Sequence, residues 1–209
     1  MNAKHIHRMT AGLLGLFILT HLGVHLTALI SKEAHFKALD IVQVPYRHPV
    51  GETILILAIL TQIFTGFKRL KIKRKSKDKW ARAQVLSGIY LVFFLLLHSS
   101  AALYTHHIFG IDTDFYWAAG SMHFSPIKYG FAIYYFLAVT AVFVHLAAAL
   151  HFGWKGSSGR LEKTISITGA LVAGLIIFAF WGVLYDITIP ADTAAYYEKY
   201  FGIFGLGGS

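Results

Sequence analysis

Five side chains in this 209-residue chain stand out because their surroundings are almost wholly apolar: His21, His25, Gln62, His98 and His145. A strongly polar group in lipid is costly, so each invites a functional explanation. Imidazole is the commonest metal ligand, and in its neutral form it is tolerated in an apolar setting. Spacing sorts four of the five into two tiers. His21 lies 13 residues beyond Arg8 and His98 lies 16 beyond Arg82, roughly 20 and 24 Å along a helix that rises about 1.5 Å per residue. Gln62 precedes Lys68 by six residues and His145 precedes Lys155 by ten, about 9 and 15 Å by the same rise. Imidazoles at one depth on different helices of a bundle can clamp a haem iron from both sides.

The faces around these residues carry more information. His21 shares its face with Phe17, Ile18, Val24 and His25, and His98 with Phe94, Leu95, Ala101 and Ala102. Around His145 the helical neighbours are Ala138, Ala141, Ala148 and Ala149; around Gln62 they are Ala58, Thr65 and Gly66. Small residues beside a lone polar one either leave room for a flat, bulky group or let two backbones touch. A single intramembrane histidine also often just hydrogen-bonds a neighbouring helix. That plain reading is applied to His25, and for His145 it stands beside ligation. His48, His106, His107 and His123 are read as interfacial, and His5, His7, His35 and His151 likewise. Glu52 is either a proton-handling carboxylate near the outer mouth or an ordinary interfacial residue.

The elements that must position these groups follow from hydropathy. The chain is 56% hydrophobic and 14% charged, against about half and about a quarter in a soluble domain. Most of its surface therefore does not face water. Apolar stretches cover residues 9–30, 49–67, 83–105, 126–152 and 164–186, each near the roughly 20 residues needed to cross a bilayer. The expected fold is an all-α membrane protein, one domain over residues 1–209, built as a five-transmembrane-helix bundle. Residues 68–82 hold nine of the nineteen Lys and Arg. By the positive-inside rule this loop is cytoplasmic, which puts the N-terminus inside and the C-terminus outside. Lys4, Arg8, Lys155, Arg160 and Lys163 fall on the same side. Topology thus accounts for the net charge of +9 without nucleic acid. No cleavable signal peptide is evident. With no cysteine, disulfides, iron–sulfur clusters and thiolate haem ligation by this chain are excluded.

Residues 31–48 read as a short interfacial helix, residues 107–125 as a cap over the outer mouth, and the segment after Pro190 as another interfacial helix ending in flexible residues 205–209. A faint repeat relates the first span, from Arg8 through Gly12 to His21, to the third, from Arg82 through Ser87 and Gly88 to His98. Both enter from the same side.

The run Arg8-Met9-Thr10-Ala11-Gly12 through Phe17 to His21 resembles helix 1 of the five-helix cytochrome b subunit of succinate dehydrogenases and fumarate reductases. Gln84, Ser87-Gly88, Phe94 and His98 resemble its third core helix. Ser125-Pro126 and the long helix carrying His145 resemble the fourth. The resemblance covers about four of the five helices. It implies two haems b stacked across the membrane, each held by two histidines. His21 and His98 would hold the outer haem; His145 and a ligand on the second span would hold the inner one. This chain departs from the pattern there, with Gln62 at the helix 2 position. Glutamine is a poor ligand for haem iron, so one haem b is expected. The inner site would be empty, differently ligated or used by a quinone. The resemblance further implies electron exchange between quinone and a peripheral flavin/iron–sulfur dehydrogenase, in a bacterial-type cytoplasmic (inner) membrane. Glu52 would sit where an outer quinone site has its proton acceptor.

Bis-histidine ligation saturates the iron and favours electron transfer over oxygen binding, so the chain alone is not read as an enzyme. Two alternatives stay open: a stand-alone haem-binding membrane protein without a dehydrogenase, and a non-redox transporter or scaffold whose histidines only bond between helices. The transporter variant lacks the broken helices and midplane carboxylates expected of it. Homo-oligomerisation is left open.

Overall fold

A computed structural model describes residues 3–73, 76–125, 127–154 and 156–202, the side chains of 70–73 excepted. Among the described residues there are helices and no strands. Five helices are long and apolar enough to cross a membrane: α1 (Ala3–Thr27), α4 (Pro49–Lys73), α5 (Lys79–Phe109), α7 (Lys128–Gly153) and α8 (Arg160–Phe180). Their outward faces are apolar. Leu16, Leu19, Leu86 and Leu171 are each more than 60% exposed, a surface suited to lipid rather than water.

The ends of the spans differ from the hydropathy boundaries where charge or turn chemistry overrides composition. The run 68–82, read as a loop, is mostly helix: α4 continues to Lys73 and α5 begins at Lys79, with residues 74 and 75 outside the described set. Asp78 starts α5 by accepting the Ala81 N–H at 2.8 Å, which satisfies one of the unpaired donors of a helix N-terminus. At its far end Gly110 takes φ 64° and stops the helix, a conformation glycine adopts without strain. The fifth span does not reach residue 186. It ends at Phe180, and Gly182 at φ 78° turns the chain back. Trp181, Tyr185, Ile187 and Ile189 then pack against the core, so their apolar character serves a folded return and not a helix. Pro126, Lys155 and residues 205–209 lie outside the described residues.

Four shorter helices, α2 (Lys32–Val42), α3 (Val44–Arg47), α6 (Phe115–His123) and α9 (Ala191–Gly202), lie at the end where α1, α5 and α8 finish. We call this the cap end, and the opposite, lysine- and arginine-rich end the basic end. The helices expected within 31–48 and after Pro190 are present, and residues 107–125 form the end of α5 followed by α6. Phe115 and Phe180 stack at 5.0 Å between ring centroids and centre a core with Ala28, Ala119, Met122, Ile176 and Ala179. The Tyr197 hydroxyl donates to the Trp117 carbonyl and the Tyr197 ring lies against Gly120, fixing α9 on α6.

Two close helix pairs organise the bundle: α1 with α4, and α5 with α7, the latter backed by α8. The alanine face around His145 closes part of this packing. Of that face Ala138, Ala141 and Ala148 are buried and Ala149 is exposed, while Gly169 of α8 receives the Phe143 side chain. Of the two roles open to those small residues, close helix packing is the one observed. Among the described residues, no Cα of α1 comes within 8 Å of one of α5 or α7. We call the seam between the two pairs, where α4 meets α5 and α1 meets α8, the slot.

Candidate functional site: imidazoles across the slot

Near the cap end His21 and His98 meet over the slot with ring centroids 6.2 Å apart and planes at 64°. Each ring stacks on a phenyl four residues earlier: Phe17 on His21 at 5.4 Å and 20°, Phe94 on His98 at 4.9 Å and 14°. This is the i, i+4 geometry of one helix face. Both imidazoles thus have their orientation set by a ring on their basic-end side. Trp117 of the cap lies 5.8 Å from His98, and Tyr135 of α7 lies 6.2 Å away, edge-on. Neither nitrogen of His98 has a hydrogen-bond partner among the described residues.

His21 belongs to a larger cluster. Its Nε2 is 3.2 Å from His25 Nε2, and the His25 ring lies 5.6 Å from that of His35 on α2. His35 is 1% exposed, enclosed by Phe36, Phe115 and Phe180. Burial, with the neighbouring His21 second, pushes its pKa down to about 4, so the ring is neutral at physiological pH. Three nitrogens in this corner are buried without a partner: His25 Nδ1, His35 Nδ1 and His35 Nε2. The interfacial, solvated role expected for His35 does not hold. The sequence does carry a signal for it, since His35 and Leu39 are one turn apart and form the buried face of α2.

Nearer the basic end the second tier is divided by the slot. On one side Gln62 Oε1 accepts from the Thr10 hydroxyl at 2.6 Å, and Gln62 Nε2 is 3.3 Å from His7 Nε2. His7 Nδ1 also meets Thr65 Oγ1 at 2.8 Å. On the other side His145 Nδ1 meets Ser87 Oγ at 3.2 Å, with the His145 ring close over Gly88. The solvated role expected for His7 does not hold: it is half-buried and engaged through both nitrogens. Its signal was the seven-residue recurrence His7, Leu14, His21, which is one helix face.

Glu52 sits at the cap end, where its Oε1 accepts from His107 Nε2 at 2.8 Å, tying the start of α4 to the end of α5. The turn before it is tight. A side-chain carbon on Gly51 would strike the Pro45 carbonyl. At the basic end Glu162 is 1% exposed, accepts from Ser157 and lies 3.2 Å from His151 Nδ1. His151 is therefore a buried-cluster partner rather than a solvated residue, and it pins the α7–α8 connection. Among the described residues no group of three or more His, Cys, Asp or Glu is arranged to hold a bare metal ion. His21 and His98 bring their rings to 6.2 Å of each other at 64°. Compared with protein-family models, with curated proteins and with solved structures, the chain finds no match.

Proposed function

We propose that this chain is a multi-pass electron-transfer protein that holds one haem b between His21 and His98 and exchanges electrons with a membrane quinone. The observation that carries this is the opposition of those two rings across helices whose backbones do not approach. If haem b were bound, His21 and His98, whose ring centroids stand 6.2 Å apart, would be the residues that hold its iron. The flanking fit agrees. Phe17 and Phe94 offer an apolar stacked border, and His98 presents nitrogens that the protein does not otherwise use. Ligation through His21 Nε2 requires His25 to withdraw from its 3.2 Å contact. That contact is also the best support for the competing reading, a non-redox bundle whose histidines bond only to one another.

Haem b, if bound, would supply one-electron chemistry, and His21 and His98 would hold it. The chain's part is to fix the two rings, exclude water with the α2–α6–α9 cap and leave lipid-facing access along the spans. The second tier supplies hydrogen-bonding groups in place of a second imidazole pair. With both nitrogens of His7 engaged and Gln62 opposite His145, it suits the polar head of a quinone better than an iron. The lysine- and arginine-rich end then faces the cytoplasm, and Glu52 handles protons at the outer mouth. A peripheral flavin/iron–sulfur dehydrogenase is the partner this reading implies, with a bacterial-type inner membrane as the location; a stand-alone haem protein is the variant without it.

The deciding experiment is the dithionite-reduced absorbance spectrum of protein purified from haem-replete cells. A low-spin haem b spectrum is expected, and a colourless preparation overturns the proposal. Co-purification of a flavoprotein separates the dehydrogenase subunit from the stand-alone form.

A further inference from the structure

Resting on that reading, we infer that His35, assisted by His25, forms a cradle for a carboxylate, and that its occupant is a haem propionate. Buried polar atoms in folded proteins nearly always have partners. Here three nitrogens within two adjacent rings have none. The chain's own polar groups nearby are committed elsewhere: Thr27 donates to Val24, Tyr185 to Ala28, and Ser31 caps α2. The walls around His35 are phenyl rings. Among the described residues none bonds these three nitrogens, which leaves them open to a partner from outside the chain.

Position identifies its chemistry. Along α1 the order is Phe17, His21, His25, each one turn on, with His35 beyond on the cap. An axial ring is thus bordered by a phenyl towards the membrane interior and by imidazoles towards the cap. Haem has the same polarity, with an apolar edge and an edge bearing two carboxylates. Seating it with its apolar edge on Phe17 and Phe94 directs the carboxylates to His25 and His35. A neutral imidazole offers one N–H donor, and donation to an anion is the stronger kind of hydrogen bond. His25 then has a role distinct from that of an iron ligand, and its contact with His21 is exchanged for one to the propionate.

The test uses the full chain carrying haem, with His35→Leu and His35→Gln. Both variants keep the low-spin spectrum, since the axial ligands are untouched. Transfer of haem to a soluble haem scavenger becomes about tenfold to a hundredfold faster in His35→Leu, the worth of one hydrogen bond to a charged group, and returns close to wild type in His35→Gln, whose amide still donates. Haem dimethyl ester, which lacks the free carboxylates, dissociates equally fast from wild type and His35→Leu. Equal release of ordinary haem from wild type and His35→Leu overturns the cradle while leaving the haem site standing. Loss of the low-spin spectrum in His35→Gln also overturns it, by making His35 a ligand or a folding residue. A wild-type protein without haem overturns both this inference and the proposed function.

Discussion

The His21 and His98 rings stand 6.2 Å apart although no Cα of α1 lies within 8 Å of one of α5 among the described residues. Side chains meet across such a distance only if something on each helix aims them. The phenyl rings of Phe17 and Phe94, each one turn earlier, supply that aim. The consequence for ligand binding is a hierarchy among the histidines. His21→Ala and His98→Ala should each abolish the low-spin haem spectrum. His25→Ala should keep it, because His25 Nδ1 and the His35 ring lie to the cap side of the proposed iron. Retention of full haem by either His21→Ala or His98→Ala would remove the axial assignment.

Much of this arrangement is legible from spacing. The counts from Arg8 to His21 and from Arg82 to His98 place the rings at one level, and the five apolar runs mark the five long helices. What spacing does not carry is long-range closure. Nothing local says that His7 would turn to Thr65 and Gln62, 58 and 55 residues away. Nor does composition show that the apolar residues after Phe180 fold back on the cap instead of extending a helix. The burial of His35 is non-local for the same reason: it comes from Phe115 and Phe180, which are remote in sequence.

The second tier sets the stoichiometry. His7 is held through both nitrogens, Gln62 bonds Thr10 and His7, and His145 meets Ser87, so the tier presents no opposed pair of imidazoles. The pyridine-haemochrome ratio should be one haem per chain, and Gln62→Ala should leave it at one. A ratio of two would show that His145 and another group bind iron.

Helix packing gives a prediction independent of haem. A Cβ on Gly169 would overlap the Cβ and ring of Phe143, and because that Cβ is fixed to the α7 backbone the helices would have to part. Gly169→Ala should cost about 1–3 kcal/mol, as overpacking does. Thermal unfolding in detergent would report it, and Phe143→Ala in the same chain should not recover the loss, because alanine keeps the clashing Cβ. Equal stability of Gly169→Ala and wild type would mean that α7 and α8 are not packed this closely.

Acid should weaken the haem-free protein through His35. Its folded pKa of about 4 lies below the ordinary 6.5 because burial disfavours the charged ring, so protonation favours unfolding. The contribution is whole above pH 6.5 and is lost as pH falls towards 4, up to about 3 kcal/mol at about 1.4 kcal/mol per pKa unit. Unfolding followed between pH 7 and 4 should show this decline, and His35→Phe should lessen it without removing the share of the other buried histidines. An unchanged pH profile in His35→Phe would place the acid sensitivity elsewhere.

Glu52 and His107 make the last test, because the pair separates proton handling from helix pairing. The carboxylate accepts from His107 Nε2 at 2.8 Å and joins α4 to α5 at the cap end, with the Glu52 side chain 24% exposed. Glutamine in its place keeps an oxygen acceptor for His107, so the helix contact survives, but it cannot take up a proton. If Glu52 receives the proton released when a quinol is oxidised, Glu52→Gln should slow quinol-driven haem reduction by about a hundredfold, the lower range for loss of a general base. Haem content and the reduced spectrum should stay as in wild type, which ties the loss to proton transfer and not to folding. His107→Gln, which leaves the carboxylate in place, should retain most of the rate. Wild-type kinetics in Glu52→Gln would reduce Glu52 to a partner in helix pairing, and proton release would then have to be sought at another group on the cap.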